Sequence, residues 1–224
     1  MTQNKVKGRI FSWEQFEKMP IVGIVRGISL EDFKHILPVY LKSGLTTVEV
    51  TMNTPDVELL IRYATEEYVG LLNIGAGTVC SLSDLEQALS YGAQFIVTPV
   101  VNPEVITACI NNEIPVFPGA LSPSEIYMAY SLGASTIKVF PASYLGANYL
   151  KEIKGPLNNI QFLPTGGINL GNMQSFLDVG VHGFGIGSPL FDKTLIKSRD
   201  WIGLEKHFLD YVQLINGSKR SKLV

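Results

Sequence analysis

Two ionisable side chains stand in the middle of apolar, strand-like runs, where a charge is costly. Lys138 lies within Ser135–Pro141, and Glu49 lies within Thr46–Thr51. Burial disfavours the charged amine and therefore lowers the pKa of a lysine. A neutral lysine amine is a nucleophile that can condense with a ketone to form a Schiff base. A buried amine and a buried carboxylate, each on a strand, indicate chemistry on carbon–carbon bonds.

Each of these side chains also has an ordinary structural interpretation. Lys138 could be a strand-end lysine that reaches solvent, or a member of a structural ion pair. Glu49 could be no more than its structural partner. The organisation of the whole chain favours the chemical interpretation.

Composition places the chain among globular proteins with one domain, residues 1–224. Of its 224 residues, 46% are hydrophobic and 17% are charged, which suits a single large core. The net charge of −2 provides no field that would attract nucleic acid or an anionic membrane. The partner expected is therefore a small molecule.

Neither a metal site nor export is expected. Cys80, Cys109 and the three histidines are scattered without metal-ligand spacing, and two lone thiols suit a reducing compartment. The segment Met1–Arg9 is polar and mixed in charge, unlike a secretory signal, and no apolar stretch approaches the length of a membrane span. We expect a cytoplasmic protein.

Strand-like runs alternate with amphipathic segments along the whole chain. Eight runs are predicted as strands: Ile21–Arg26, Thr46–Thr51, Leu72–Ala76, Gln94–Thr98, Ile114–Phe117, Ser135–Val139, Ile160–Leu163 and His182–Ile186. Alternating strands and helices imply parallel pairing through right-handed crossovers. Eight such units predict an α/β fold, a single (β/α)8 TIM barrel, and Ser12–Lys18 predicts an extra N-terminal helix.

Helix boundaries follow from residue type. Glycines that can adopt a left-handed conformation are predicted to end helices at Gly44, Gly92, Gly133 and Gly180. Polar residues are predicted near helix starts at Ser29, Ser83, Asn102, Ser122 and Asn169. The aromatic residues near the N-terminus and along the last helix are interpreted as core packing.

The loops after the seventh and eighth strands are rich in glycine. Thr165–Asn169 is predicted to lead from a strand into a helix, and Gly187 and Ser188 follow the eighth strand. Loops at these two places commonly bind phosphate in such barrels, because glycines let exposed amides approach an anion. Gly166, Gly167, Gly187 and Ser188 are the predicted phosphate-binding residues, although ordinary turn glycines would look the same.

With these features in order, the chain resembles the class I aldolases that act on 2-keto-3-deoxy-6-phosphogluconate, its galactonate epimer and 4-hydroxy-2-oxoglutarate. The resemblance runs over roughly residues 20 to 190, and the matching segments are Val48–Thr51, Gly75–Val79, Thr98–Pro99, Pro118–Gly119, Lys138–Pro141 and Pro164–Ile168.

The resemblance implies roles for individual residues. Lys138 would form a Schiff base with pyruvate, and Glu49 would shuttle protons. Thr78 would contact the pyruvate carboxylate, while Pro99 and Phe140 would shape the pocket. Such aldolases need no metal or other cofactor, are commonly trimers of (β/α)8 barrels, and serve Entner–Doudoroff-type carbohydrate metabolism.

One departure concerns the substrate carboxylate. Gluconate-type members usually carry an arginine two positions after the threonine of the Glu-Val-Thr segment, and this chain has Asn53 there. We therefore assign anion binding at the pyruvate end to Arg26, whose guanidinium can bind a carboxylate through two parallel hydrogen bonds. Arg26 could instead pair with Glu49. The presence of Asn53 in place of that arginine leaves open which sugar epimer is preferred.

The predicted function is a lyase that reversibly cleaves such a phosphorylated keto-acid into pyruvate and glyceraldehyde 3-phosphate. It could also cleave 4-hydroxy-2-oxoglutarate into pyruvate and glyoxylate. Two alternatives remain: a sugar-phosphate isomerase or epimerase, which needs no isolated nucleophilic lysine, and a barrel that binds a sugar-acid phosphate without turnover.

Overall fold

A computed structural model describes residues 10–221, so the expectation about Met1–Arg9 falls outside the described residues. Strands and helices alternate along the chain. The strands are β1 (Ile21–Val25), β2 (Thr47–Thr51), β3 (Asn73–Gly77), β4 (Phe95–Val97), β5 (Val116–Phe117), β6 (Gly119–Ala120), β7 (Thr136–Val139), β8 (Gln161–Pro164) and β9 (Phe184–Ile186). The helices are α1 (Trp13–Lys18), α2 (Leu30–Lys42), α3 (Val57–Glu67), α4 (Leu82–Tyr91), α5 (Pro103–Asn111), α6 (Pro123–Ser131), α7 (Gly146–Lys154), α8 (Met173–Asp178), α9 (Lys193–Lys197) and α10 (Trp201–Ser221).

The strands form two parallel sheets. One has six strands in the order β5-β4-β3-β2-β1-β9, and the other has three in the order β6-β7-β8. In the larger sheet Glu49 stands opposite Ile24 of β1 and Gly75 of β3. Because all pairings are parallel, the carboxyl ends of the strands and the loops that follow them share one edge. The predicted α/β fold with parallel strands is confirmed.

The fifth predicted strand, Ile114–Phe117, is observed as the shorter β5, and an additional strand that was not predicted, β6, follows Pro118. Proline has no amide hydrogen to donate to a ladder, so β5 ends before it and pairs with β4. The carbonyl of Pro118 accepts a hydrogen bond from the Lys138 amide at 2.9 Å. The chain then continues as β6, which pairs with β7. The chain thus leaves the larger sheet at the end of β5 and, after Pro118, enters the smaller sheet as β6.

The two sheets also meet between β8 and β9. The His182 amide, just before β9, donates to the Phe162 carbonyl of β8 at 2.9 Å. Further along, Thr165 and Gly185 form an isolated parallel bridge. The β8 edge of the smaller sheet is therefore connected to the β9 edge of the larger sheet.

Helix boundaries agree with the sequence except at two starts. The glycines expected to end helices all have positive φ: Gly44, Gly92, Gly133 and Gly180. Ser81, not Ser83, caps α4, because Asp84 three residues later completes a capping box with it. The loop after β8 does not enter a helix at Asn169; α8 begins only at Met173, since the Asn172 side chain accepts the Asn169 amide at 2.9 Å.

Packing separates a large core from a small aromatic cluster. The large core lies between the sheets and the surrounding helices and takes in Phe208 and Tyr211 of α10. The small cluster joins Phe11 and Phe16 to inward-facing strand residues such as Phe95, with Trp13 packed against it. Helix α1 therefore covers the end of the strands that carries this cluster. Within residues 10–221, no helix combines the length and apolarity needed to cross a membrane.

Candidate active site

A cavity of about 550 Å³ opens among the loops that follow the strands. Its wall includes most of the residues that the sequence predicts for the site: Arg26, Thr78, Pro99, Lys138, Phe140, Gly166, Gly167, Gly187 and Ser188. Glu49 does not contribute to the wall itself. It is buried on β2, where its charge interacts with Lys138 and Arg26.

Lys138 reaches the cavity from β7, a strand whose residues are all buried. Its exposed fraction is 6%, and Nζ lies 5.0 Å from the centroid of the Phe140 ring. Burial lowers the pKa of Lys138; the nearby Glu49 carboxylate raises it, and the Arg26 guanidinium lowers it further. The surroundings therefore favour the neutral, nucleophilic amine.

Glu49 is buried more deeply, with an exposed fraction of 1%. Its Oε2 atom has no hydrogen-bond partner among the described residues. Burial raises the pKa of Glu49, while Lys138 and Arg26 lower it. A carboxyl group with a raised pKa can both accept and return a proton.

The amine and the carboxylate are neighbours without being an ion pair. The ion pairs within 4.0 Å that occur in residues 10–221 include neither Lys138 nor Glu49, although each shifts the pKa of the other. The structural interpretation of Glu49 as the salt-bridge partner of Lys138 thus finds no direct contact. A buried carboxylate oxygen without a partner is costly, and such costs are typical of functional sites.

Arg26 follows β1 and enters the cavity wall, whereas Asn53 is exposed and does not. The loop that carries Arg26 is tied to the loop after β2. The Gly27 amide donates to Thr54 Oγ1 at 3.2 Å, and Thr54 Oγ1 also lies 2.9 Å from Thr51 Oγ1. The backbone directly after Arg26 is therefore held by the loop in which Asn53 lies.

Thr78 has an unusual backbone, with φ of +60° directly after β3. A β-branched residue rarely adopts this left-handed conformation, and strain of this kind concentrates at ligand sites. The conformation sets Thr78 in the cavity wall. Pro99 and Phe140 complete this part of the wall.

The glycine turns form another part of the wall, and a Cβ on Gly166 would lie 3.1 Å from the Phe140 ring. Gly166 and Gly167 have φ of +89° and +73°, and a Cβ on Gly167 would lie 2.3 Å from Ser143 Oγ. Within the described part of the chain, the amides of Gly167 and Ser188 donate no hydrogen bond. Two unused donors on a cavity wall can receive an anionic oxygen.

The last helix fixes the turn after β9. The Pro189 carbonyl contacts His207 Nε2 at 2.8 Å and accepts a hydrogen bond from the Tyr211 hydroxyl at 2.9 Å. Both side chains come from α10. No role was predicted for any histidine; in the structure His207 helps to position Pro189, the residue beside Ser188.

Three charged residues of the cavity wall were not predicted. They are Asp32 of α2 and two lysines of α9, Lys193 and Lys197. The sequence feature that could have indicated these lysines is their spacing of four residues shortly after the eighth predicted strand. No group of three or more metal-ligating side chains gathers anywhere in residues 10–221.

Comparison with known proteins gives a consistent result. The family described as KDPG and KHG aldolase matches residues 13–207. The chain is 32% identical over 175 residues to 2-dehydro-3-deoxy-6-phosphogalactonate aldolase of Escherichia coli (strain K12), covering 78% of this chain and 85% of that protein. It is 38% identical over 165 residues to 2-dehydro-3-deoxy-phosphogluconate aldolase of Pseudomonas aeruginosa, covering 73% and 74%.

A similar solved structure is KDPG aldolase from Legionella pneumophila with pyruvate captured as a covalent carbinolamine intermediate. The TM-score is 0.81 at 29% sequence identity, with 87% of this chain and 95% of that chain covered.

Proposed function

The chain belongs to the KDPG and KHG aldolase family, and we propose that it is a class I aldolase of phosphorylated 2-keto-3-deoxy acids. It cleaves 2-keto-3-deoxy-6-phosphogluconate or its galactonate epimer, reversibly, to pyruvate and glyceraldehyde 3-phosphate. Relatives named for each epimer support both substrates, and 4-hydroxy-2-oxoglutarate is a further candidate. The observation that carries the proposal is the buried amine of Lys138 beside the unpartnered carboxyl group of Glu49.

The proposed reaction begins with attack of the neutral Lys138 amine on the C2 ketone, and loss of water leaves an iminium. Glu49, directly or through water, takes the proton from the C4 hydroxyl. The C3–C4 bond breaks, its electron pair flows into the iminium to give an enamine, and the aldehyde leaves. Glu49 returns the proton to C3, and hydrolysis of the new iminium releases pyruvate and the amine.

The other wall residues bind and orient the substrate in this proposal. Arg26 and Thr78 hold the carboxylate at the pyruvate end, while Pro99 and Phe140 shape the pocket around the Schiff base. The glycine turns hold the phosphate through Gly166, Gly167, Gly187 and Ser188. The iminium serves as the electron sink, so the reaction calls for no metal or other cofactor.

Borohydride reduction in the presence of pyruvate tests the mechanism. The reagent should fix pyruvate to Lys138 irreversibly, which peptide mass spectrometry would locate, and the Lys138→Arg variant should remain unlabelled. Lys151→Arg, at an exposed lysine of α7, is the matched control and should label like the parent protein. Label on another lysine, or activity that survives Lys138→Arg and depends on a metal, would favour an isomerase or epimerase instead.

We infer that the two sheets belong to one closed (β/α)8 barrel, residues 1–224 being a single domain with α1 at one end. Two features support closure: the chain crosses directly from β5 to β6 at Pro118, and Thr165 bridges Gly185 between β8 and β9. A crystal structure would test it by showing continuous ladders on both seams.

We also propose a homotrimer. Helix α6 buries Ile126 and Ala129 but leaves Tyr127, Met128 and Tyr130 exposed, and an apolar helix face of this kind supports contact with a second copy. Light scattering on the full chain, with Met128→Glu as the disrupting variant, tests the assembly. A cytoplasmic location stays a prediction.

A further inference from the structure

The cavity extends past the glycine turns to α9, where two lysines enter its wall. Lys193 and Lys197 are four residues apart, so their side chains lie on one face of the helix. Both are exposed at the mouth of the cavity, whereas Lys138 is buried within it. The cavity wall thus includes the buried Lys138 amine and, on α9, two exposed lysines.

Charge in the cavity wall differs from charge in the chain as a whole. The whole sequence carries a net charge of −2. Apart from the Lys138 amine, whose neutral form is favoured, the ionisable wall residues are three bases and a single acid: Arg26, Lys193, Lys197 and Asp32. Such a wall attracts a ligand with several negative charges.

The four basic residues of the wall have different electrostatic neighbours. Arg26 and Lys138 both interact with Glu49. Lys193 and Lys197 form no ion pair within residues 10–221, whereas Arg199 near them contacts Glu31 at 2.7 Å. The positive charges of Lys193 and Lys197 are therefore available to interact with a ligand.

Two acids, one beside the pair in sequence and one in the cavity wall, have hydrogen-bond partners of their own. Asp192, which directly precedes α9, accepts the amides of Thr194 and Leu195 at 2.7 and 3.0 Å. Asp32 accepts the Ser29 hydroxyl at 2.8 Å at the start of α2. Both carboxylates thus serve to cap helices.

Glycine amides alone would discriminate poorly between phosphate and a smaller anion. An amide donor is neutral and binds any acceptor oxygen of suitable geometry. Two ammonium groups interact more strongly with a phosphate dianion than with a monoanionic carboxylate, and lysine is well suited to phosphate as a point charge.

We propose that Lys193 and Lys197 are specificity-determining residues that bind the substrate phosphate together with the Gly166–Gly167 and Gly187–Ser188 turns. This inference rests on the proposed function and assigns its preference for phosphorylated substrates to α9. The pair has no part in the covalent chemistry at Lys138. It acts on binding of the far end of the substrate.

The test uses the double variant Lys193→Gln with Lys197→Gln in the full chain. We expect KM for 2-keto-3-deoxy-6-phosphogluconate to rise at least tenfold, with kcat changed less than threefold. Borohydride trapping of unphosphorylated pyruvate on Lys138 should be unchanged, which shows that the variant is folded and reactive. Lys151→Gln, which removes one positive charge from an exposed lysine of α7, should leave all these values at their parent level.

A binding measurement separates this inference from the proposed reaction. Stabilisation of thermal unfolding by glycerol 3-phosphate should need at least tenfold more ligand in the double variant, and Lys138→Met should not alter it. If the double variant binds glycerol 3-phosphate like the parent protein, the lysine pair is not a phosphate site, whatever reaction the protein performs. If binding is lost as expected but pyruvate never labels Lys138, the aldolase mechanism alone fails.

Discussion

The carboxyl group of Glu49 lies directly against the α-carbon of Gly77. A Cβ built on Gly77 would stand 2.4 Å from Oε1 and 2.7 Å from Cδ of Glu49. The parallel register explains the contact, since Thr51, two residues after Glu49, is paired with Gly77 itself. The space that the proposed acid/base occupies exists because residue 77 has no side chain.

Gly77→Ala should therefore displace the Glu49 carboxyl group and lower activity. Because Gly77 does not have a positive φ, alanine fits the backbone and the effect is confined to the clash. We expect kcat to fall about 100-fold, the scale of general acid–base catalysis, and stability to fall by about 1–3 kcal/mol from overpacking. Steady-state kinetics and denaturant unfolding measure the two effects.

Gly217→Ala is the control for that substitution. Gly217 lies in α10, and a Cβ there would meet no atom within 4 Å. Activity should stay at the parent level. A Gly77→Ala enzyme with the parent kcat would show that the position of the Glu49 carboxyl group does not limit the reaction.

The pH dependence of Schiff-base formation should move in opposite directions in two variants. In the proposed mechanism only the neutral Lys138 amine attacks pyruvate, so trapping by borohydride should rise as pH passes the pKa of this lysine. Glu49 raises that pKa and Arg26 lowers it. Glu49→Gln should therefore shift the midpoint to lower pH, and Arg26→Gln should shift it to higher pH.

The midpoint, not the amplitude, is the quantity to compare, because Glu49→Gln also removes a proton-transfer group. Glu58→Gln, in an exposed pair with Arg62, should leave the midpoint unchanged. Shifts of the same sign in both site variants would contradict the electrostatic account of Lys138.

Sequence patterns predicted the features that depend on local chemistry. Charged residues inside apolar runs identified Lys138 and Glu49 as buried, and alternating periodicities gave the parallel α/β fold. The break at Pro118 was also predictable in principle, because proline cannot donate to a ladder. By residue type, Ser81 and Ser83 are both suited to the start of α4. The capping box that the Asp84 side chain forms with Ser81 makes Ser81 the N-cap.

Features that depend on tertiary contact were not predictable in this way. Lys193 and Lys197 look like an ordinary solvated helix face in the sequence, and only the packing of α9 beside the glycine turns puts them in the cavity wall. The fit of Glu49 against Gly77 requires the register between β2 and β3. The hydrogen bonds from α10 to Pro189 join residues about 20 positions apart in an irregular turn.

Tyr211→Phe should weaken binding of the phosphorylated substrate without affecting the amine. It removes one of the two side chains that hold the Pro189 carbonyl, next to Ser188 of the proposed phosphate site. Loss of one hydrogen bond costs about 1 kcal/mol, so KM should rise roughly fivefold. Trapping of pyruvate on Lys138 should not change.

Tyr91→Phe provides the comparison, because the Tyr91 hydroxyl donates to Gln87 on the same helix. Its KM should equal that of the parent enzyme. An unchanged KM in Tyr211→Phe would mean that His207 alone suffices to hold the turn.

His182 should make the protein less stable in acid. Its Nδ1 atom lies 3.2 Å from Thr136 Oγ1, and Phe16 of α1 packs against the ring edge to face at 5.3 Å between centroids. Burial lowers the pKa of His182 from its ordinary value of 6.5, and Glu17 partly opposes this. Below pH 6.5 the His182 side chain is therefore protonated more readily in the unfolded chain than in the folded chain. The free energy of unfolding consequently falls as pH decreases through this range. His182→Gln should remove part of that slope in thermal unfolding between about pH 7 and 5. Equal slopes in the parent protein and His182→Gln would show that this ring does not govern the acid response of the α1 end.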